Sequence, residues 1–375
     1  MWEKLPMDPI FSVHNQYMQD PRPDKINAAL GVLLQNQQEY VMPSVQFAAT
    51  KVRHDNYGYL PMKGDLKFLE WARDFYISSK QNNNIALQQT AGGTHACWMM
   101  GQLGIQCNFG PFLIPTPTWE NYFALLKNQK QILFDHLNND GEINWNVYLD
   151  ILNSAQEGSV LLLQATGAHN PTGKNLSFQQ RKELIKIVNK RKIWVYMDGA
   201  YIGLADGLKI DKSWINEMWQ EINQVMLGIS FSKTATLYGH RLGALMIKCS
   251  NENNAKAMES YMQTIMRENI SVPPCWGNRI MEQLDITKWE TDITHSQEKL
   301  FQTRTTLQKI LKNSHAPDTW INALNGTGLF VLLPIKSQLV KQLAQKYGIY
   351  VAQNGRINIS GFIGKEELIT HFLEK

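Results

Sequence analysis

The sequence predicts an α/β fold in which a parallel sheet is covered by helices on both faces. Three observations predict it. From about residue 44 to 290, stretches of helical periodicity alternate with short apolar runs. Those runs are apolar throughout rather than at every second residue, which marks strands buried on both faces. After about residue 250 the pattern changes to a helix–strand–helix–strand–helix tail, which makes a small α+β unit. At 375 residues the chain exceeds the size at which one core keeps growing, so a large and a small domain are expected.

Taken in order, residues 1–40 open with turn chemistry, Asp8-Pro9 and Asp20-Pro21-Arg22-Pro23. Prolines so placed argue against a long helix and for an extended arm that lies on the rest of the protein. Helices are expected over 66–79, 94–104, 119–128 and 177–190, and apolar strands over 112–114, 160–163, 193–197, 225–229 and 242–247. The stretch 251–269 is helical in pattern. So is 286–313, which is long and polar enough to bridge two domains. A strand near 328–333, a helix near 337–347, a strand near 356–360 and a last helix from 365 complete the chain. The expected division is an arm, 1–40, that joins the small domain; a large domain, 41–290; and a small C-terminal domain, 291–375.

Composition excludes several classes. Apolar residues make up 43% of the chain and charged residues 19%, as in soluble globular proteins. The 37 basic and 33 acidic side chains are interspersed, with no basic arm or helix-turn-helix extension, so no nucleic-acid partner is expected. Cys97, Cys107, Cys249 and Cys275 are scattered without a CxxC pair, which argues against a metal site and a disulfide framework. No run approaches 18 apolar residues and the N-terminus carries no apolar segment, so a cytoplasmic protein without membrane contact is expected.

Five polar signals follow apolar strands in the same orientation. The most informative is Ser230-Phe231-Ser232-Lys233, between the runs 225–229 and 242–247. An amine at the mouth of a core is either solvated or partly desolvated. Desolvation lowers its pKa and lets the neutral amine attack a carbonyl to form a Schiff base. Ser230, Ser232 and Arg241 suit a phosphate nearby. A Schiff-base lysine beside a phosphate clamp is what a pyridoxal phosphate site needs. Gly92-Gly93-Thr94 opens a helix, either as an ordinary N-terminus or as an anion cradle. Trp119, after Pro115-Thr116-Pro117-Thr118, is either core or a ring that stacks on a planar ligand. Asn170, in His169-Asn170-Pro171-Thr172-Gly173, sits where ligands bind in α/β sheets and offers an amide N–H to a phenolate-type oxygen. Asp198 ends an apolar strand, where an acid either caps a turn or faces a cation such as a protonated pyridine nitrogen, with Tyr201 three residues on.

On these motifs the chain resembles the fold type I pyridoxal phosphate aminotransferases, in the aspartate and aromatic amino acid subgroup. The similarity runs from Asp8-Pro9-Ile10-Phe11 to Gly355-Arg356-Ile357-Asn358. The resemblance implies a mostly parallel seven-stranded sheet, a small domain from both chain ends, and a homodimer with shared active sites. It also implies roles. Lys233 would carry the cofactor and shuttle a proton, Asp198 would hold the pyridine nitrogen, Tyr201 and Asn170 the phenolic oxygen, and Trp119 the ring face. Gly92, Gly93, Thr94, Ser230, Ser232 and Arg241 would bind the phosphate, joined by Tyr59 of the second subunit. Arg356 would take the substrate α-carboxylate, Gly31 would line the site beside it, and Arg267 would reach a distal carboxylate across the interface.

The chain departs from the subgroup at Thr236, Val272, Ala165 and Tyr122, and the region after Gly31 is short and glutamine-rich. The implied activity is ping-pong transfer of an amino group between L-aspartate or an aromatic L-amino acid and 2-oxoglutarate. A β-lyase of the same fold type and a non-catalytic effector-binding domain are the alternatives.

Overall fold

The structure is a computed structural model that describes residues 2, 7–53, 58–78, 82–164 and 169–374. Its centre is a seven-stranded sheet: β1 (Ile85–Thr90), β2 (Phe112–Thr116), β3 (Gln131–Asp135), β4 (Val160–Gln164), β5 (Trp194–Gly199), β6 (Val225–Ser230) and β7 (Gly243–Lys248). Across the sheet the order is β1-β7-β6-β5-β4-β2-β3. Only β7 runs against its neighbours, with Gly243 opposite both Thr90 and Ser230. All the other strands therefore end on one edge.

Burial along the strands confirms the apolar-run reading. Leu161, Leu163, Val195 and Met197 enter a core on one face, while Val160, Leu162 and Tyr196 enter a second core on the other. Helices cover both. Gly92–Gln106 packs on β6 and β7, and Phe178–Arg191 begins with a capping box in which Ser177 Oγ accepts from Gln180 N while Gln180 Oε1 accepts from Ser177 N.

The chain ends combine into the small domain. Ile26–Ala28 pairs in parallel with Ile349–Val351, and Phe330–Leu332 pairs antiparallel with Arg356–Asn358. The helix Ile286–Asn313 packs against Pro43–Thr50 and Leu208–Glu221 on one side and against Ile359–Phe362 and Glu366–Leu373 on the other, as its length and polarity predict.

Several local expectations are corrected. The arm contains a helix, Pro9–Gln19, because Asp8 caps it: its Oδ1 accepts from Ile10 N at 2.9 Å and Phe11 N at 3.2 Å, and Pro9 occupies a first-turn position where no N–H is needed. The helix expected over 119–128 contracts to Asn121–Leu125. Two strands of the central sheet escaped the apolar-run criterion. β3 is half-exposed, and β1 reads Ile-Ala-Leu-Gln-Gln-Thr yet is buried throughout. Its glutamines are tolerated because their amides are used. Gln88 Nε2 donates to Met62 O at 2.7 Å, and Gln89 donates to Pro274 O at 2.8 Å and accepts from Asp65 N at 2.9 Å. Among the described residues, no helix is long and apolar enough to cross a membrane.

Candidate active site

The sheet edge where six strands converge opens into a cavity of about 300 Å³. β6 ends at Ser230, and the chain turns at once into a single helical turn, Phe231–Thr234, started by Ser230 Oγ accepting from Ser232 N. Phe231 anchors that turn among Phe68, Trp71 and Tyr76, and Trp289 Nε1 donates to Thr234 O at 2.8 Å. With its neighbours buried, Lys233 is left facing the cavity. Burial pulls its amine down to about 8; the charges of Arg241 and Arg356 add to the effect and Asp198 opposes it.

Asp198, at the end of β5, lines the same cavity. Burial raises its carboxyl, while a bond from Tyr122 and the charge of Lys233 hold it down. The Tyr122 phenol donates to Asp198 Oδ2 at 2.5 Å and its ring meets Trp119 edge-on at 5.2 Å, so one buried residue steadies two walls. This departure in sequence thus keeps a donor against the acid. The Lys233 amine lies 5.3 Å from the Tyr201 ring centre, and burial raises the Tyr201 phenol above its ordinary value.

A cradle lies beside the lysine. Arg241 Nη1 donates to Ser232 Oγ at 3.1 Å and Tyr238 O at 3.0 Å, and Nη2 donates to Ala91 O at 3.3 Å. Gly92 has φ +80°, and a Cβ there would sit 2.6 Å from Arg241 Nη2. A Cβ on Gly93 would come 3.0 Å from the Ser230 Cβ. These glycines therefore hold a space beside the guanidinium open at a helix N-terminus.

The opposite wall comes from the chain ends. Arg356 is buried; its Nη1 donates to Asn170 Oδ1 at 3.0 Å, its Nη2 to Ala29 O at 2.6 Å, and its guanidinium stacks 4.6 Å from the Phe330 ring centre. Its Nε has no partner among the described residues.

The cavity thus unites Gly31, Gly93, Thr94, Trp119, Asn170, Asp198, Tyr201, Ser230, Ser232, Lys233, Arg241 and Arg356, with Gly92 immediately behind. Tyr59 and Arg267 are exposed and line no part of it. Ala165 lies outside the described residues. Sequence reasoning missed Asp8, Ile10, Phe11, Asn121, Gln164 and Ala200, all of which line the cavity. The Asp-Pro helix start was the available signal for the first three. Gln164, the polar end of an apolar strand, carried the same signal as Asp198.

Among known proteins, the family described as "Aminotransferase class I and II" matches residues 23–375. The chain is 29% identical to the mitochondrial aspartate aminotransferase of Arabidopsis thaliana, over 96% of this chain and 87% of that one. In fold it is similar to the cytoplasmic aspartate aminotransferase of Saccharomyces cerevisiae, with a TM-score of 0.91 and 24% identity over 99% and 96% of the two chains. It is also similar to an aromatic-amino-acid aminotransferase of Burkholderia pseudomallei that is covalently bound to pyridoxal phosphate, with a TM-score of 0.89 and 24% identity over 98% and 96%.

Proposed function

The chain belongs to the class I and II aminotransferases, and from that premise we propose that it uses pyridoxal phosphate to move an amino group between L-aspartate or an aromatic L-amino acid and 2-oxoglutarate. The observation that carries this reading is that Lys233, Asp198, Arg241 and Arg356 share one cavity. The residues fit the cofactor. A Cβ would fill the space that Gly92 leaves beside Arg241, and Arg356 Nε is a buried donor without a partner among the described residues. Asn170 accepts from Arg356 through Oδ1, which leaves its N–H₂ for an acceptor in the cavity.

When bound there, pyridoxal phosphate supplies an aldehyde that condenses with amines and a ring that accepts the electrons left when the substrate Cα loses its proton. The chain's own groups do the rest. Arg241, Ser230, Ser232 and the N-terminus at Gly93 and Thr94 bind phosphate. Asp198, whose Oδ2 accepts from Tyr122, would accept the hydrogen bond of a protonated ring nitrogen. Asn170 and Tyr201 would donate to the phenolic oxygen, and Trp119 would cover one ring face. Arg356 grips the α-carboxylate with its fork and so fixes which Cα bond stands across the ring. Lys233 Nζ, neutral in useful fraction near pH 8, would move a proton between the substrate Cα and the carbon of the cofactor's aldehyde.

Tyr59 and Arg267 act from a second copy of the chain in this reading, which makes the enzyme a homodimer. Mixing Lys233→Ala with Arg267→Ala subunits tests it. Hybrid dimers carry one site with both residues intact, so activity toward aspartate returns; no recovery removes the shared site.

The substrate test is a half-reaction panel, in which each L-amino acid is mixed with the holoenzyme while loss of the cofactor's visible absorbance is followed. Aspartate and glutamate inert beside reactive aromatics would end the aspartate assignment. Pyruvate and ammonia released from a β-substituted amino acid, with no oxaloacetate from aspartate, would make the protein a β-lyase.

A further inference from the structure

Gln164 ends β4, opposite Asp198 of β5 in register, and its side chain lines the cavity. Three of its four hydrogen-bonding positions are used. Oε1 accepts from Asn170 N at 2.6 Å; Nε2 donates to Asn170 O at 3.0 Å and to Thr118 Oγ1 at 3.2 Å. One primary amide therefore clasps both backbone groups of a single residue six positions on, and ties it to the segment that carries Trp119. A carboxylate could not make both contacts, because it has no donor; an ammonium could not, because it has no acceptor.

The clasped residue works in two directions. Asn170 Oδ1 takes the Arg356 Nη1 bond at 3.0 Å, and this leaves its N–H₂ group toward the cavity. Fixing the Asn170 backbone fixes both. We propose that Gln164 is a positioning residue: it sets Asn170, and through Asn170 the angle of the Arg356 fork and the donor offered to the cofactor's phenolic oxygen. The inference rests on the aminotransferase reading. It follows from the two-point clasp, which leaves Asn170 no freedom to pivot about its own backbone.

Gln164→Met keeps the volume and removes all three bonds. In the holoenzyme, KM for the amino acid is expected to rise about tenfold, the worth of one hydrogen bond to a charged group, with kcat within about threefold. The pH midpoint of the cofactor's visible absorbance is expected to move up, because a slackened donor stabilises the phenolate less. A residue that served only the fold would lower the melting temperature and leave that midpoint in place. Gln164→Asn retains an amide but is one methylene too short for both contacts; it is expected to shift the midpoint in the same direction, and it serves if the Met variant does not fold. An unmoved midpoint with unchanged KM in a folded variant overturns the inference. Failure of the aminotransferase reading is told apart by Lys233→Ala: turnover surviving in that control removes the reading itself, whatever Gln164 does.

Discussion

The wall of the cavity that runs from Gly93 to Arg241 rises from strand ends of one sheet, whereas the wall opposite, Gly31 with Arg356 and the Asp8–Phe11 turn, is assembled from the two ends of the chain. The first stands on packed core. Phe231 and Trp289 are fully buried under the lysine turn, in an aromatic cluster with Phe68, Trp71, Phe75 and Tyr76. The second hangs on side-chain bonds to backbone: Asn358 Nδ2 to Leu30 O and Val32 O, both at 2.7 Å, Leu33 N to the Tyr238 hydroxyl at 2.9 Å, and Met42 N to Thr236 Oγ1 at 3.0 Å. Chemistry that needs fixed distances sits on the rigid wall. Recognition, which must admit and release a substrate, sits on the wall whose segments, distant in the chain, are tied together by side-chain-to-backbone bonds.

The contrast predicts that stability and activity separate by wall, and the sharpest way to break it is Lys233→Ala. Turnover is expected to fall by about 10⁴-fold or more, while the melting temperature of the cofactor-free protein does not drop, because the lost amine was held against its desolvation cost. A clear loss of stability would mean that the lysine holds the wall up. Trp289→Ala probes the same wall from beneath. Removing this buried ring and its bond to Thr234 should cost about 3–5 kcal/mol in denaturant unfolding.

On the opposite wall, Arg356→Lys loses the planar fork. A fall of roughly 100-fold in kcat/KM, carried mainly by KM, is expected from the loss of a bidentate charged contact. A smaller effect should appear in pH. Because the Lys233 pKa is lowered to about 8, the reactive neutral amine is the minor form below that pH. Capture of pyridoxal phosphate by the cofactor-free protein should therefore accelerate about tenfold per pH unit up to about 8 and then level off. A rate that kept climbing to pH 10 would place the amine in solvent. The smallest effect belongs to Phe11→Ala. Phe11 is 61% exposed although it lines the cavity, so unfolding should change by no more than about 0.5 kcal/mol while KM shifts.

The rigid wall was also the legible one. Lys233, Asp198 and Asn170 each follow an apolar strand, and a polar side chain placed at the end of a buried strand has little to do except face a ligand. The opposite wall left weaker marks. Asp8-Pro9 reads as a turn as readily as a helix start, and only the capping bonds to Ile10 and Phe11 decide between them. Ile26–Ala28 and Ile349–Val351 are three-residue strands whose partners lie at the far end of the chain, beyond any local pattern. β1 was hidden for another reason. Its Gln88 and Gln89 look like surface residues until their carbonyl partners at Met62 and Pro274 are known. The Gln164 clasp was equally invisible, since it depends on where the chain returns six residues later.

The single reversed strand sets the order in which the molecule can be made. β1 has one neighbour, β7, so Ile85–Thr90 leaves the ribosome with nothing to pair with until Gly243–Lys248 has followed it. Contacts so distant along the chain form late, and an unpaired edge is the part of a nascent protein that sticks to others. The two glutamines in that strand suit the wait, keeping the segment less adhesive than the continuously apolar strands of the sheet until its place there exists.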